Sequence, residues 1–154
     1  MHLQKSISGS QCHVRKPTLL THLYKYVYGF AGKIRVVDIA KSDANTPFAY
    51  AQFLEAQSKR IFDDLGGKNY LGDLDFESLI EEIANLAAEL NGLHPFREGN
   101  GRTIRLFLIM LADHAGYLLD YSQVSASKLI SADKIAFEGN IEPLLSVYSK
   151  VVVK

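Results

Sequence analysis

The sequence contains no tryptophan and only one cysteine, Cys12, in 154 residues. A single cysteine cannot form an internal disulfide, and Cys12 lies in no redox or metal-binding motif, so we expect a free thiol in a reducing compartment. Basic and acidic residues balance at 17 each, which gives no positive excess of the kind that nucleic-acid-binding proteins carry. The longest apolar run, 106–112, is too short to cross a membrane. We therefore expect a cytoplasmic protein that binds neither nucleic acid nor membrane, with secretion as an effector left open.

The chain is typical in composition of a folded globular domain, since 47% of its residues are hydrophobic. Its length suits one domain with a sizeable core. Residues 1–16 are polar and lack a periodic pattern, which predicts a flexible arm. A single domain is predicted over residues 17–154.

Helical spacing of apolar residues recurs along most of this domain. Asp75 is typical of a helix N-cap, and Gly92 and Gly116 are typical of helix ends. One segment, Lys33–Ile39, instead alternates and is β-branched, which predicts a strand within a hairpin over 34–48. The predicted fold class is mainly α, a helical bundle with one β-hairpin beside a polar loop. The predicted helices span residues 17–28, 48–65, 76–91, 100–115, 122–136 and 141–150.

The polar loop lies between two predicted helices and reads HPFREGNGRTIR over residues 94–105. Gly99 and Gly101 allow a ligand to approach the backbone closely. A helix that begins at Asn100 would direct free N–H groups and a favourable dipole toward an anion. Arg102 and Arg105 add guanidinium groups suited to phosphate, and Asn100 adds a neutral donor. This pattern predicts binding of two or three phosphates.

Two further residues of the loop indicate chemistry as well as binding. Glu98 would repel phosphate unless Mg²⁺ lay between them, and Mg²⁺ is typically held by one or two carboxylates together with phosphate oxygens. His94 is suited to general-base catalysis near neutral pH. Phe96 is expected to anchor the loop in the core. A second interpretation makes His94 and Glu98 transition-metal ligands for hydrolysis, although the loop offers no third ligand.

The same twelve residues match the Fic family signature, H-x-F-x-[DE]-G-N-G-R-x-x-R, at every fixed position. The chain therefore resembles that family over roughly residues 18–150. Two shorter stretches agree with it. Phe30–Arg35 resembles the family segment F-A-G-x-I-R, and the residues around Ile39–Lys41 and Pro47–Ala49 resemble its active-site hairpin, called the flap.

The resemblance implies a protein adenylyltransferase that moves AMP from ATP to a Ser, Thr or Tyr hydroxyl of a target protein. It gives His94 the role of general base and makes Glu98 the ligand of Mg²⁺ between the α- and β-phosphates. Asn100 and the backbone from Gly99 to Gly101 would form the anion hole. Arg102 would bind the β- and γ-phosphates, and Arg105 the γ-phosphate.

The resemblance also assigns the flap to the target protein, which would be held by strand pairing. Ile39, Lys41 and Phe48 are the flap residues expected at that contact. Transfer of UMP, phosphocholine or phosphate is the alternative within the same fold. Phosphorylating relatives usually have lysine in place of Gly101, which argues against phosphate transfer. A catalytically quiet binding module is the non-enzyme alternative, although the motif is intact.

Many members of the family carry an inhibitory helix with the pattern [ST]-x-x-x-E-[GN], whose glutamate pairs with the residue equivalent to Arg105. Glu138 is followed by Gly139, but Lys134 occupies the Ser/Thr position. Glu82 follows Ser78 at the right spacing, but Ile83 comes next. We therefore expect no intramolecular inhibitory helix. Either a separate small antitoxin-like protein supplies the glutamate, or the chain is a catalytic core without its regulator.

Overall fold

The computed structural model describes residues 33–40 and 47–154. Residues Ile34–Lys154 form one compact unit. The predicted arm over 1–16, the predicted helix over 17–28 and the flap residue Lys41 lie outside the described residues. The single domain predicted over 17–154 includes some of them and stays a prediction.

The mainly helical fold predicted from the sequence is confirmed. A short 3-10 turn over Ala51–Phe53 precedes the first described helix, so this helix begins later than the predicted start at Phe48. The helices of the described part are α1 (Leu54–Gly67), α2 (Phe76–Leu93), α3 (Asn100–His114), α4 (Ala126–Phe137) and α5 (Glu142–Val151).

Helix α2 is the central element, because it packs against both α3 and α5. Asp75 caps it as predicted, since the Asp75 side chain accepts a hydrogen bond of 2.9 Å from the backbone N–H of Ser78. The core lies where the apolar faces of these three helices meet, and burial of each leucine or isoleucine there contributes about 1.5–3 kcal/mol. Side chains in this core with no exposed surface are Leu79, Ile83, Leu90, Leu108, Leu144 and Val147.

The strand predicted over Lys33–Ile39 is wrong. The chain there is irregular and bends at Val36–Val37, and the only pairing in this region of the described residues is one antiparallel bridge between Ala40 and Pro47. A strand needs a neighbour to accept its hydrogen bonds. Here the N–H of Arg35 instead donates to the carbonyl of Pro95 at 2.9 Å. The bridge brings the two limbs of the flap together, here defined as residues 34–40 and 47–50.

A small antiparallel sheet lies elsewhere in the described part of the chain. Strand β1 (Leu118–Leu119) pairs with β2 (Val152–Val153), with Leu118 opposite Val153 and Leu119 opposite Val152. Two-residue strands are too short for an alternating pattern, so the sequence did not predict them. No helix among the described residues is both long enough and apolar enough to cross a membrane.

Candidate active site

The loop that carries the motif joins two helices through two left-handed residues. His94 is the C-cap of α2, with φ 43° and ψ 58°, and Gly99 is the N-cap of α3, with φ 81° and ψ 6°. Glycine adopts this conformation readily, but for histidine it costs about 1–3 kcal/mol. The surroundings of His94 must therefore hold its backbone in place.

The imidazole of His94 is oriented by its own helix. Its Nδ1 lies 3.2 Å from the carbonyl oxygen of Asn91. Because a carbonyl can only accept a hydrogen bond, we infer that Nδ1 carries the proton and that Nε2 is the unprotonated nitrogen. This is the tautomer that a general base requires at Nε2.

A phenylalanine from the flap supports the same ring. The rings of Phe48 and His94 are stacked with their centroids 3.9 Å apart. The ring centroids of Phe48 and Phe137, a residue of α4, are 5.2 Å apart. Phe48 is only 7% exposed. Its side chain therefore packs beside the predicted base and offers little surface to a target protein. Ile39, the other described flap residue of the prediction, is half-buried.

The carbonyl end of α2 is fully partnered, and the flap supplies half of the partners. The last four carbonyls of a helix receive no hydrogen bond from an N–H group within that helix. The backbone and Nδ1 of His94 serve two of these carbonyls, and one residue from each limb of the flap serves the other two. The pairs are His94 N with Leu90 O at 3.2 Å, His94 Nδ1 with Asn91 O at 3.2 Å, Ala49 N with Gly92 O at 3.0 Å, and an Arg35 terminal nitrogen with Leu93 O at 3.4 Å.

Arg35 makes several more contacts than this one and is only 2% exposed. Its Nε donates to His94 O at 2.9 Å and one terminal nitrogen donates to Val37 O at 2.8 Å. The other terminal nitrogen donates to Ala49 O. Burial lowers the pKa of the Arg35 guanidinium, and the nearby charge of Asp38 acts in the opposite direction. The sequence assigned Arg35 no role, although a cation within an alternating apolar segment that also matches F-A-G-x-I-R was an available signal.

The side chain of Asn100 closes the motif loop. Its Oδ1 accepts from Phe96 N at 3.0 Å, and its Nδ2 donates to Phe96 O at 2.7 Å. Asn100 and Phe96 are 2% and 1% exposed, so the predicted anchoring of Phe96 in the core is confirmed. The amide of Asn100 therefore binds the loop backbone. The first N–H groups of α3, which have no acceptor within the helix, are then the candidate backbone donors for an anion.

The two motif arginines extend from the first turns of α3. Arg102 is exposed and Arg105 is half-buried. A Cβ atom at Gly101 would lie 3.4 Å from a terminal nitrogen of Arg105, so this guanidinium lies back along the helix toward its N-terminus. The predicted phosphate-binding groups are thus gathered at one end of α3. Glu98 is exposed immediately before that end.

Two phenols, the half-buried Tyr121 and the buried Tyr148, lie within electrostatic reach of Arg105. The hydroxyls of Tyr121 and Tyr148 are 3.4 Å apart. Burial raises the pKa of Tyr121 to about 12, although the hydrogen bond with Tyr148 and the positive charge of Arg105 oppose the shift. Burial also raises the pKa of Tyr148 well above its ordinary value. Both phenols are therefore neutral at physiological pH.

The described side chains suit a metal ion that is held jointly by the protein and by phosphate better than one that is held by protein ligands alone. In the described part of the chain, no three side chains of His, Cys, Asp or Glu come together as a metal site would require. Within the motif loop, Glu98 provides the carboxylate, immediately before the start of α3. One carboxylate fits Mg²⁺ that is held jointly with phosphates, and it does not fit a transition-metal hydrolase.

Fold and site together define a helical domain with an oriented histidine beside a helix N-terminus suited to phosphate. Residues 14–112 match the Fic/DOC family. The chain belongs to that family.

Relatives of known name agree with this assignment. The chain is 34% identical over 140 residues to "Probable protein adenylyltransferase Fic" of Escherichia coli (strain K12), covering 91% of this chain and 68% of that protein. It is 39% identical over 137 residues to "Protein adenylyltransferase VbhT" of Bartonella schoenbuchensis, covering 88% of this chain and 28% of that protein. The prediction of a nucleotidyltransferase agrees with both names.

A solved structure is similar in fold. The N-terminal Fic domain of a Bep effector protein from Bartonella quintana, crystallised with bound ADP, superposes with a TM-score of 0.85 at 25% identity. The match covers 88% of this chain and 70% of that one.

Proposed function

We propose that the protein transfers AMP from ATP to a hydroxyl group of a target protein. The observation that carries the proposal is the orientation of His94, whose Nδ1 contacts Asn91 O at 3.2 Å, so that Nε2 is the nitrogen that would accept a proton. The N-terminus of α3 and two arginines follow within the same motif. The names of the relatives and the ADP bound in one of them favour a nucleotide as the ligand.

In the proposed reaction, Nε2 of His94 accepts the proton of the target hydroxyl. The hydroxyl oxygen forms a bond to the α-phosphorus, the bond from that phosphorus to the bridging oxygen breaks, and pyrophosphate leaves. N–H groups at the start of α3 stabilise the charge that develops on the α-phosphate. Arg102 and Arg105 bind the β- and γ-phosphates and keep the leaving group in line.

Glu98 is the residue that would hold Mg²⁺ beside the phosphates. Magnesium held there would neutralise part of the phosphate charge. On the target side, the flap would bind an extended segment by strand pairing at Ile39 and Lys41. Phe48 would support the base, because its ring stacks on the imidazole of His94.

Labelled nucleotides test this proposal. The protein would be incubated with cell lysate, Mg²⁺ and ATP labelled at either the α- or the γ-phosphate. AMP transfer predicts protein labelling from the α-label only, lost in His94→Ala and retained in His114→Ala, a matched change at an exposed histidine. Labelling from the γ-label alone would indicate phosphorylation. No labelling from either would favour a quiet module or the transfer of another group.

We also propose that inhibition comes from a separate small protein, the antitoxin-like partner expected from the family pattern. Two glutamates of this chain approach that pattern, and both have local roles. Glu82 accepts hydrogen bonds from Lys68 at 2.9 and 3.1 Å, and Glu138 is the C-cap of α4 before the left-handed Gly139. Co-purification of a small helical protein that carries the pattern would support the proposal, and full labelling activity in its presence would contradict it.

A further inference from the structure

One buried guanidinium joins three segments of backbone beside His94. Arg35 donates to Val37 O on the first limb of the flap and to Ala49 O on the second limb. It also donates to Leu93 O and His94 O, where α2 passes into the motif loop. All four acceptors are backbone carbonyls, so the arrangement depends on the course of the chain and is independent of side-chain identity at those positions.

We propose that Arg35 is a positioning residue that fixes the proposed base, His94, relative to the flap. The inference rests on the proposed AMP transfer, in which the flap holds the target and His94 deprotonates it. A target strand paired with the flap has its hydroxyl located by the flap backbone, whereas the imidazole is located by the end of α2. Arg35 is the side chain that bonds to both.

Two other hydrogen bonds hold the flap without binding the backbone of His94. The N–H of Ala49 donates to Gly92 O at 3.0 Å, and the N–H of Ala51 donates to Asp38 Oδ1 at 2.6 Å. Neither hydrogen bond involves His94 itself. The carbonyl of His94 is bonded to Arg35 Nε, and the next carbonyl, that of Pro95, accepts the N–H of Arg35. Two consecutive peptide groups that follow the base are thus bound by one residue.

The planar fork of arginine is what allows a single side chain to reach all of these acceptors. Lysine would keep the charge but has one nitrogen, so it cannot bond to all three segments at their present spacing. Methionine would keep most of the volume and would leave the four carbonyls without their donor. These two substitutions therefore separate the charge of Arg35 from its geometry.

The test compares Arg35→Met and Arg35→Lys with Arg60→Met, a matched change at an exposed arginine of α1 that pairs with Glu89. The first readout is the tautomer of His94 in the nucleotide-free protein, observed through its ring nitrogens by NMR. We expect the Nδ1–H tautomer to dominate in the wild type and in Arg60→Met. Both Arg35 variants should show a mixture of tautomers or exchange broadening.

The second readout separates positioning from nucleotide binding. Labelling from α-labelled ATP in lysate should fall by about 100-fold in Arg35→Met, in keeping with a base displaced by about 1 Å. ATP affinity, measured by calorimetry, should stay within about threefold of the wild type, because the side-chain hydrogen bonds of Arg35 go to carbonyls outside α3. Partial recovery of labelling in Arg35→Lys is expected.

Wild-type tautomer and wild-type labelling in folded Arg35→Met would overturn the proposal, as would an equal loss of ATP affinity and labelling. If Arg35→Met does not fold, Arg35→Lys decides by the same two criteria. If the wild type itself labels nothing, the proposed function fails. The NMR measurement, which needs no nucleotide, then still decides whether Arg35 positions His94.

Discussion

The rings of His94 and Phe48 lie nearly parallel, inclined by 18° with their centroids 3.9 Å apart. His94 belongs to the motif loop, and Phe48 belongs to the second limb of the flap. The proposed base therefore rests directly on the element proposed to hold the target. A substitution at Phe48 should therefore change the rate of transfer, although Phe48 has no proposed contact with nucleotide or metal.

The first prediction concerns Phe48→Leu, which keeps an apolar side chain but removes the stacked ring. A stack of this kind contributes about 0.5–1.5 kcal/mol beyond its buried area, so labelling from α-labelled ATP should fall by roughly 2- to 10-fold. The free energy of unfolding should decrease by less than about 1.5 kcal/mol. Initial labelling rates and denaturant titrations measure the two quantities. Phe53→Leu, at a side chain 48% exposed, is the control and should leave both unchanged.

The second prediction concerns Asn100→Asp, which preserves shape but replaces the Nδ2 donor by an oxygen. The buried carbonyl of Phe96 then loses its hydrogen bond, which should lower the free energy of unfolding by about 1–3 kcal/mol. A negative charge also appears at the proposed phosphate site, so ATP affinity should fall sharply. Thermal unfolding and calorimetry check both effects. Asn85→Asp, at an exposed position of α2, adds the same charge far from the motif; an equal loss of affinity there would contradict the assignment.

The third prediction is that Gly101→Ala changes stability and nucleotide affinity in opposite directions. Alanine favours helix over glycine by about 1 kcal/mol, and the new Cβ would meet Arg105 only at ordinary contact distance, 3.4 Å. The free energy of unfolding should therefore rise. ATP affinity should fall, because the methyl group lies where the phosphates are proposed to approach the backbone. Gly66→Ala in α1 provides the comparison, with a gain in stability and unchanged affinity.

The fourth prediction concerns stability at high pH. Burial raises the pKa of Tyr121 to about 12, whereas an unfolded tyrosine ionises near 10. The unfolded state therefore loses its proton first, so the contribution of Tyr121 is complete below about pH 10 and is lost as the pH rises toward 12. Over that range the free energy of unfolding should decrease by about 1.4 kcal/mol per pH unit for this residue.

Tyr121→Phe tests the origin of that slope. Between pH 10 and 12, the free energy of unfolding of this variant should depend less on pH than that of the wild type. Tyr148 continues to contribute a decrease with rising pH. Denaturant titrations at several pH values give the comparison. Tyr50→Phe, at a side chain 51% exposed, should keep the wild-type slope. Equal slopes in wild type and Tyr121→Phe would show that this phenol does not ionise as proposed.

Local signals predicted the helices of the described part and the start of α3, but α2 runs through Gly92, its predicted end, to Leu93 and is capped by His94. Asp75 caps α2 and α3 begins at Asn100, as their residue types indicated. Among the described residues, propensity misled at Lys33–Ile39, which has no ladder with a neighbouring strand, and at the predicted helix start at Phe48, since that helix begins at Leu54. The β-branched residues of Lys33–Ile39 indicated extended chain, but a ladder also needs a neighbour, and single-sequence periodicity contains no information about neighbours.

The sequence identifies candidate residues of the site but not the contacts between them. The motif identified His94, Glu98 and the arginines as candidates. The role of Arg35 depends on a contact with His94 across 59 positions of sequence, which no local pattern encodes. The side chain of Asn100 was interpreted as a phosphate donor because its amide suits that role. Only the fold reveals that Phe96 already uses it.

The fully partnered end of α2 has a consequence for the electric field at the site. Helix α2 directs the negative end of its dipole into the motif loop, six residues before α3 directs its positive end into the same loop. A polyphosphate that arrives there would be repelled by one helix and attracted by the other. The four donors bonded to the last carbonyls of α2 offset that negative pole together, and Arg35 supplies only one of them, so an incoming anion experiences the attraction of α3 with the opposing helix partly masked even without Arg35.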